Sequence, residues 1–365
     1  MSVTAVERAA MRRAIDLAGR GRGRPHPNPL VGAVVLTISG ETVGEGWHDR
    51  DALGAAHAEV VALTAAGTQA RGATVVITLE PCSHQGRTGP CVDALLAAGV
   101  ARVIVAVPEP TRTASGGIDR LRAAGISVEV GVEEALARLG NEAWLTSVEL
   151  GRPFVTLKTA TTIDGRATAA DGTSQWITSV EARADAHLLR AECDAIAVGV
   201  GTVLADDPAL TVRDESGRPL DRQPLRVVFD SDGRAPSSAH ALDGRAPSLL
   251  LVADDLAPRD HPLAEVVGVP RSSSGLDLDA ALKQLHGHGV LHLLVEGGPR
   301  LAASFVDADL VDRVVTYLAP ALMGAGAAAV SGGRGTATIS ELRRMRFDDV
   351  RRVGPDLRLE ARVGR

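Results

Sequence analysis

His57-Ala58-Glu59, Pro81-Cys82 and Cys91 put one imidazole, two thiols and one carboxyl group into the first quarter of the chain. One nitrogen and two thiolates make a three-ligand zinc set whose fourth position stays open to water. Zinc held in this way lowers the pKa of water to about 7, so that hydroxide can add to a ring carbon bearing an exocyclic amine. Glu59 is the proton carrier of such a site, and is not a ligand. It would take a proton from the attacking water, give one to the ring nitrogen and another to the departing amine. The combination is the chemistry of hydrolytic deamination. A histidine or cysteine taken alone reads as a satisfied core residue or a small buried hydrophobe, and a structural zinc site usually closes with a fourth protein ligand, which this set lacks.

The elements that must position these groups follow from pattern. His57 and Glu59 cannot share a face in mid-helix, but in a first turn both reach one point, and 57–67 reads as a helix beginning there. An apolar run at 73–79 is a buried strand leading to Cys82, and a helical pattern at 92–98 starts beside Cys91. With a helix near the N-terminus, strands at 31–37, 42–46, 102–107 and 127–130 and a further helix, this half predicts a largely parallel sheet covered on both faces, a three-layer α/β fold. A helical stretch at 132–148 leads to Gly151-Arg152-Pro153, where the domain boundary is placed. Beyond it, strands at 154–160, 195–199, 225–230, 248–252, 290–296 and 313–318 alternate with helices. The strand at 290–295 runs through Glu296-Gly297-Gly298-Pro299 into a helix at 300–306, a turn whose glycines and helix N-terminus suit phosphate, although such a turn is often punctuation alone. Gly199-Val200-Gly201 is no dinucleotide fingerprint, because Leu204 stands at its third glycine position.

Eight residues separate the two cysteines, where the general zinc-deaminase signature has two. That spacing, with the His84-Gln85-Gly86-Arg87-Thr88 run inside it, resembles the bifunctional deaminase-reductase family of bacterial riboflavin biosynthesis, and so does Pro27-Asn28-Pro29-Leu30-Val31-Gly32. The resemblance continues through Arg152-Pro153-Phe154-Val155-Thr156-Leu157-Lys158, Thr162-Ile163-Asp164-Gly165-Arg166, Ser174-Gln175-Trp176-Ile177-Thr178, Thr202-Val203-Leu204-Ala205-Asp206-Asp207-Pro208 and Val295-Glu296-Gly297-Gly298-Pro299. It implies a cytidine-deaminase-like domain at 1–150 and a dihydrofolate-reductase-like domain at 151–365. The implied cofactors are zinc and NADPH. The implied reactions are loss of the 2-amino group from 2,5-diamino-6-(5-phosphoribosylamino)pyrimidin-4(3H)-one and reduction of the ribosyl group of the resulting 5-amino-6-(5-phosphoribosylamino)uracil to ribityl.

Carried over motif by motif, the resemblance assigns Asn28 to the deaminase substrate. It assigns Ala160, Trp176, Thr202, Asp206, Ser231 and the turn beginning at Gly298 to the dinucleotide, and Ser174, Arg190, Leu210, Arg213 and Glu296 to the reductase substrate, with Lys158 nearby. Guanidinium forks suit a ribose phosphate, although a surface ion pair is the commoner fate of an arginine. Trp176 reads as a cofactor wall in preference to a core residue, and Asp206 and Asp207 could equally cap a turn. Lys158 lies in an apolar strand, where an unpaired charge is costly, and is expected to face the site. One loop departs from the family: Pro108-Glu109-Pro110-Thr111 stands where the family shows Asp-Pro-Asn, so weaker or altered pyrimidine binding is expected.

The 365 residues suffice for two domains, and with aromatics at 2% the cores must be built from Val, Leu, Ile and Ala. A net charge of -6 and the lack of a basic, aromatic-rich segment argue against nucleic acid as partner. The Arg20 to Arg24 run reads as a solvated loop or a local phosphate contact. No apolar stretch reaches the length of a membrane span, charges interrupt the N-terminal region where a signal peptide would need its apolar core, and two of three cysteines are spoken for by metal, so a cytoplasmic protein acting on small molecules is expected. A homo-oligomer is left open. Two rival readings are carried forward: a paralogue acting on a related pyrimidine, and an active reductase joined to a degenerate zinc-bearing scaffold.

Overall fold

The structure is a computed structural model that describes residues 2–22, 28–48, 56–84, 89–214, 216–256 and 260–363. The chain divides into two compact units, Met1–Gly151 and Arg152–Arg365.

The first unit holds α1 (Ala5–Gly19), β1 (Gly32–Leu36), β2 (Thr42–Trp47), α2 (Ala58–Ala66), β3 (Thr74–Leu79), α3 (Cys91–Ala98), β4 (Arg102–Val107), α4 (Gly117–Ala123), β5 (Ser127–Val130), α5 (Glu134–Gly140) and α6 (Glu142–Leu150). Its sheet runs β2-β1-β3-β4-β5. Successive residues of the Val/Ile-rich strands enter opposite cores, as pleating requires. Val35, Ile77 and Val105 pack with Ala62, Leu95 and Leu121, while Val34, Val76 and Ile104 pack with Met11, Leu17 and Leu145. The sheet is therefore buried on both faces and the unit has three layers.

The expected largely parallel sheet is corrected at one strand. β1 pairs antiparallel with both β2 and β3, while β3-β4 and β4-β5 are parallel. The cause is local: Gly40 N–H donates to the Thr37 carbonyl and Thr37 N–H to that of Glu41, a tight turn that can only reverse the chain. A second correction concerns 132–148, which is two helices. They break at Asn141 (φ -120°), whose Oδ1 accepts from Leu30 N–H at 3.1 Å and ties the break to the start of β1.

The second unit holds β6 (Phe154–Thr162), α7 (Val180–Ala191), β7 (Ala195–Gly199), α8 (Val200–Asp206), β8 (Leu225–Phe229), β9 (Ser248–Ala253), β10 (Glu265–Val269), β11 (Arg271–Ser272), β12 (Gly275–Leu276), α9 (Leu278–Gly287), β13 (His292–Val295), α10 (Pro299–Asp307), β14 (Arg313–Ala319), β15 (Met345–Val353) and β16 (Asp356–Val363). The main sheet order is β10-β9-β8-β7-β13-β6-β14-β16-β15. All pairings from β10 to β14 are parallel, and β16 and β15 add an antiparallel edge. β10, β15 and β16 are absent from the sequence reading. β15 shows no buried face that hydrophobic alternation could reveal; ladder bonds and charge pairs such as Arg362–Asp348 (2.6 Å) hold it. Strand order reverses around β6, β13 and β7, the kind of crevice in which open parallel sheets bind ligands at their carboxyl ends.

Glycines set how closely α2 approaches the sheet. A Cβ at Gly46 would meet the Ala58 carbonyl oxygen at 2.3 Å, and one at Gly44 would meet that of Ala62 at 2.2 Å. Both residues lie in β2, and α2 carries His57 at its N-cap and Glu59 in its first turn. Gly46→Ala is predicted to destabilise the protein by about 1–3 kcal/mol, as overpacking does, and to lower its metal content. Gly19→Ala, where nothing lies within 4 Å, should do neither. Denaturant titration and elemental analysis of the two variants check this.

Candidate active sites

Two helix N-termini and one strand end converge in the first unit. His57 is the N-cap of α2, in extended conformation (φ -70°, ψ 156°), and its side chain makes no capping bond. Cys91 opens α3 behind Pro90, and Cys82 follows β3 by three residues. His57 Nδ1 lies 3.0 Å from Cys91 Sγ and 3.6 Å from Cys82 Sγ, and the three donor atoms fall within 4.8 Å of one another. The His57–Cys82 separation equals the edge of about 3.6 Å that tetrahedral N and S ligands of zinc define, and all three donors lie close enough together to share one ion. The Cys91 backbone N–H donates to Cys82 Sγ at 3.4 Å. The hydrogen bond from the Cys91 thiol, helped by His57, draws Cys82 down to about 4, while Cys91 is pushed far up because it holds the shared proton. Two thiols sharing one proton beside an imidazole form a donor set that a dication satisfies. Glu59 is 3% exposed; burial pushes its carboxyl upward, with His57 opposing.

Sequence reasoning missed two residues here. Glu80, buried and directly before Pro81-Cys82, accepts backbone N–H bonds from Glu109 (3.0 Å), Gly116 (3.0 Å) and Ile118 (3.1 Å). It thereby ties the atypical loop to the zinc strand, while Ser83 Oγ donates to the Ser115 carbonyl at 2.6 Å. Within the loop, Glu109 accepts from Thr111 N–H at 3.0 Å, and burial pushes the Glu109 carboxyl up. The only available signal was a carboxylate at the end of an apolar strand. The second missed residue, His48, has its ring edge-on to His57 with centroids 5.4 Å apart. Its Nε2 lies 3.1 Å from Asn28 Nδ2, which links Asn28 to the metal cluster. Pro27, Gly23, Arg24 and 85–88, all part of the motif reading, lie outside the described residues.

In the second unit every residue assigned by resemblance lines one cavity of about 1080 Å³: Lys158, Ala160, Ser174, Trp176, Arg190, Thr202, Asp206, Leu210, Arg213, Ser231, Glu296 and Gly298. They come from β6, from α7 and α8, and from the segments that follow β6, α8, β8 and β13. At the centre is Glu296, whose side chain is 6% exposed. Its two oxygens accept from Arg190 Nε (2.6 Å) and Nη2 (2.8 Å), and Lys158 Nζ stands 3.8 Å away. Burial alone would raise this carboxyl, but Arg190 and Lys158 outweigh it and hold it at about 2. Burial likewise pushes Lys158 down, with Glu296 opposing. Lys158 is thus a paired charge facing the cavity. Arg190 spends its remaining fork on the Thr211 carbonyl (3.0 Å). Arg213 donates to Thr211 Oγ1 (3.2 Å) and has no carboxylate on it among the described residues. Leu210, buried, sits at φ 50°.

Past Glu296 the chain turns through Gly297 and Gly298 into α10, still lining the cavity. The Gly298 N–H, at the N-cap of α10, donates to Thr202 Oγ1 at 2.9 Å, and a Cβ at Gly297 would lie 2.5 Å from the Val198 Cα. Ser174 Oγ donates to Asp206 at 3.1 Å. Trp176 is 68% exposed with the Arg183 guanidinium 4.5 Å over its ring, a wall held from behind and open in front. Asp207 is the C-cap of α8 and pairs with His240 at 2.8 Å, a structural role.

Residues 153–359 match the RibD C-terminal domain family, and residues 5–107 match the cytidine and deoxycytidylate deaminase zinc-binding region. The riboflavin biosynthesis protein RibD of Aquifex aeolicus is 42% identical over 353 residues, covering 96% of this chain and 97% of its own. That of Escherichia coli is 42% identical over 358 residues, covering 95% and 96%. The structure of Acinetobacter baumannii RibD superposes with a TM-score of 0.86 at 35% identity, covering 99% of both chains. A Thermotoga maritima diaminohydroxyphosphoribosylaminopyrimidine deaminase/5-amino-6-(5-phosphoribosylamino)uracil reductase does so with a TM-score of 0.86 at 32% identity, covering 98% and 99%.

The Glu296 cluster makes stability depend on pH with a definite sign. A carboxyl held at about 2 in the folded state and near 4.3 when unfolded stabilises fully above the unfolded value, and that stabilisation is lost as pH falls toward 2. Glu296→Gln is predicted to destabilise the protein at neutral pH and to flatten the dependence of its unfolding free energy between about pH 4.5 and 2. Urea titrations across that range provide the check.

Proposed function

The chain belongs to the RibD family of riboflavin-biosynthesis proteins, and from that premise we propose that its two sites carry two consecutive steps: hydrolytic deamination in residues 1–150 and NADPH-dependent reduction in 151–365. The substrates proposed are those the family implies, 2,5-diamino-6-(5-phosphoribosylamino)pyrimidin-4(3H)-one for the first site and 5-amino-6-(5-phosphoribosylamino)uracil for the second. The observation that carries the reading is the pairing, in one chain, of a His-Cys-Cys cluster beside a buried carboxyl with a separate cavity lined by all twelve reductase residues.

At the first site His57, Cys82 and Cys91 would hold zinc, which when bound lowers the pKa of a water. Glu59 moves the protons. Buried two residues from His57 in the first turn of α2, it reaches the same point as the ligands without being one. Asn28, in contact with His48, would orient the pyrimidine, and the loop fixed by Glu80 would contribute to the same pocket. At the second site NADPH would supply a hydride to C1' of the opened ribosylamine. Trp176, Thr202, Asp206, Ala160, Ser231 and the Gly298 turn would hold the dinucleotide. Arg213, which has no carboxylate on it among the described residues, offers its guanidinium to the ribose phosphate, since the fork of Arg190 is committed to Glu296. Glu296 and Lys158, with Ser174 and Leu210, position the sugar. Three free cysteines suit a reducing compartment, and no helix among the described residues is long and apolar enough to cross a membrane, in keeping with a cytoplasmic enzyme.

Glu59→Gln is predicted to keep about one zinc per chain while ammonia release falls by at least about a thousandfold, because only the proton carrier is removed. Metal loss in that variant, seen by elemental analysis, would make Glu59 a ligand and overturn the assignment. Glu80→Gln places an amide N–H against backbone donors, at a cost of about 1–3 kcal/mol. It should raise KM for the diaminopyrimidine several-fold with zinc content unchanged, measured by steady-state ammonia release.

A further inference from the structure

α7 presents Arg183, Ala186, His187 and Arg190 to the reductase cavity at i, i+3, i+4 and i+7 spacing. Arg183 is engaged with Trp176, and Arg190 with Glu296. His187 is different. Its Nδ1 is enclosed by protein and the Thr211 carbonyl faces the ring, which leaves Nε2 as the nitrogen that can face the cavity.

The charges facing the ring are Arg190 on its own helix, Glu296 after β13 and Arg213 on the segment following α8, together with the Thr211 carbonyl. Lys158 on β6 stands behind Glu296. Glu296 is already shared by Arg190 and Lys158, whereas Arg213 lacks a counter-ion among the described residues. Among the described residues the part of the cavity lined by Arg213 and His187 therefore carries no counter-charge of its own, and an oxyanion there would find a guanidinium and an imidazole.

We propose that His187 is a further substrate-binding residue of this cavity: it donates to the phosphate of the phosphosugar chain beside Arg213 and takes up a proton when that phosphate arrives. The inference rests on the reading of the cavity as a phosphoribosyl site. Without a ligand the imidazole is held at about 4, first by burial and then by Arg190, with Arg213 adding to the repulsion and Glu296 and Thr211 opposing it. A dianion seated on Arg213 cancels that repulsion and supplies an acceptor for Nε2, so the charged ring becomes the stable form. Substrate binding is then linked to proton uptake, and a ligand lacking the phosphate gains nothing from the residue.

The test uses the full-length protein and two probes, ribose 5-phosphate and inorganic sulfate, the latter because it stays a dianion throughout the range. If the bound imidazole returns to its ordinary value near 6.5, the Kd for sulfate falls about tenfold between about pH 7.5 and about pH 5.5. Calorimetry in buffers of different ionisation enthalpy should record uptake of about half a proton at the middle of that range and nearly one at its acid end. His187→Gln, which keeps a donor but cannot titrate, should lose both effects. In the wild type, ¹⁵N shifts of the His187 ring should report a neutral imidazole without ligand and an imidazolium with it at about pH 5.5, a measurement that needs no variant. Sulfate bound in competition with ribose 5-phosphate, but with no proton uptake or with the slope intact in His187→Gln, would overturn the role of His187 alone. If neither probe binds, or Arg213→Ala binds both as tightly as the wild type, the phosphate is not seated here and the reading of the cavity falls with the proposal.

Discussion

Both sites depend on a buried carboxylate placed one residue past the end of a central strand. Glu80 follows β3 and Glu296 follows β13, and each sits where an unpaired charge would be severely penalised. The chain must therefore bring donors to them, and the donors it brings shape the sites. Around Glu80 they are three backbone N–H groups, which fold residues 108–117 back against the zinc strand. Around Glu296 they are Arg190 and Lys158, which draw α7 and β6 together over β13. One carboxylate organises backbone and the other organises side chains.

From this constraint the division of labour follows. In the first unit glycines at 44 and 46 let α2 lie directly on β2, so that the N-terminal ends of α2 and α3 reach the strand end carrying Cys82. Their dipoles favour thiolate, and the donor set needs a cation to be complete. In the second unit the parallel strands open a crevice of about 1080 Å³, lined by Trp176 with Arg183 against it and by Arg190 and Arg213. The same rule, ligands at the carboxyl ends of strands, serves two unrelated chemistries.

Much of this was legible in the sequence, for definite reasons. Metal ligands and their proton carrier are identified by residue type and context, so His57, Glu59, Cys82 and Cys91 stood out without a fold. Apolar runs in doubly covered strands gave β3, β4, β7, β8 and β9 nearly to the residue. The cavity residues came only from the family's motifs, because Ala160 or Leu210 carries no chemical signal of its own. What escaped was decided by tertiary partners. The reversal of β1 is set by a tight turn, the break at Asn141 by a bond to a distant backbone, and the β15-β16 edge by pairing and charge in place of a buried face. Glu80, His48 and His187 are ordinary residues in sequence, and acquire meaning only from what surrounds them.

The central claim is that two reactions run in a fixed order on one chain, deamination first. It is tested most directly by giving the full-length protein the 2,5-diaminopyrimidine and following ammonia and NADPH in one vessel. Ammonia should appear in full before NADPH is added, and NADPH should then be consumed one to one with the ammonia already released. Oxidation of NADPH without prior or accompanying ammonia release would mean that the second site accepts the undeaminated pyrimidine, and the account of two ordered sites would be wrong.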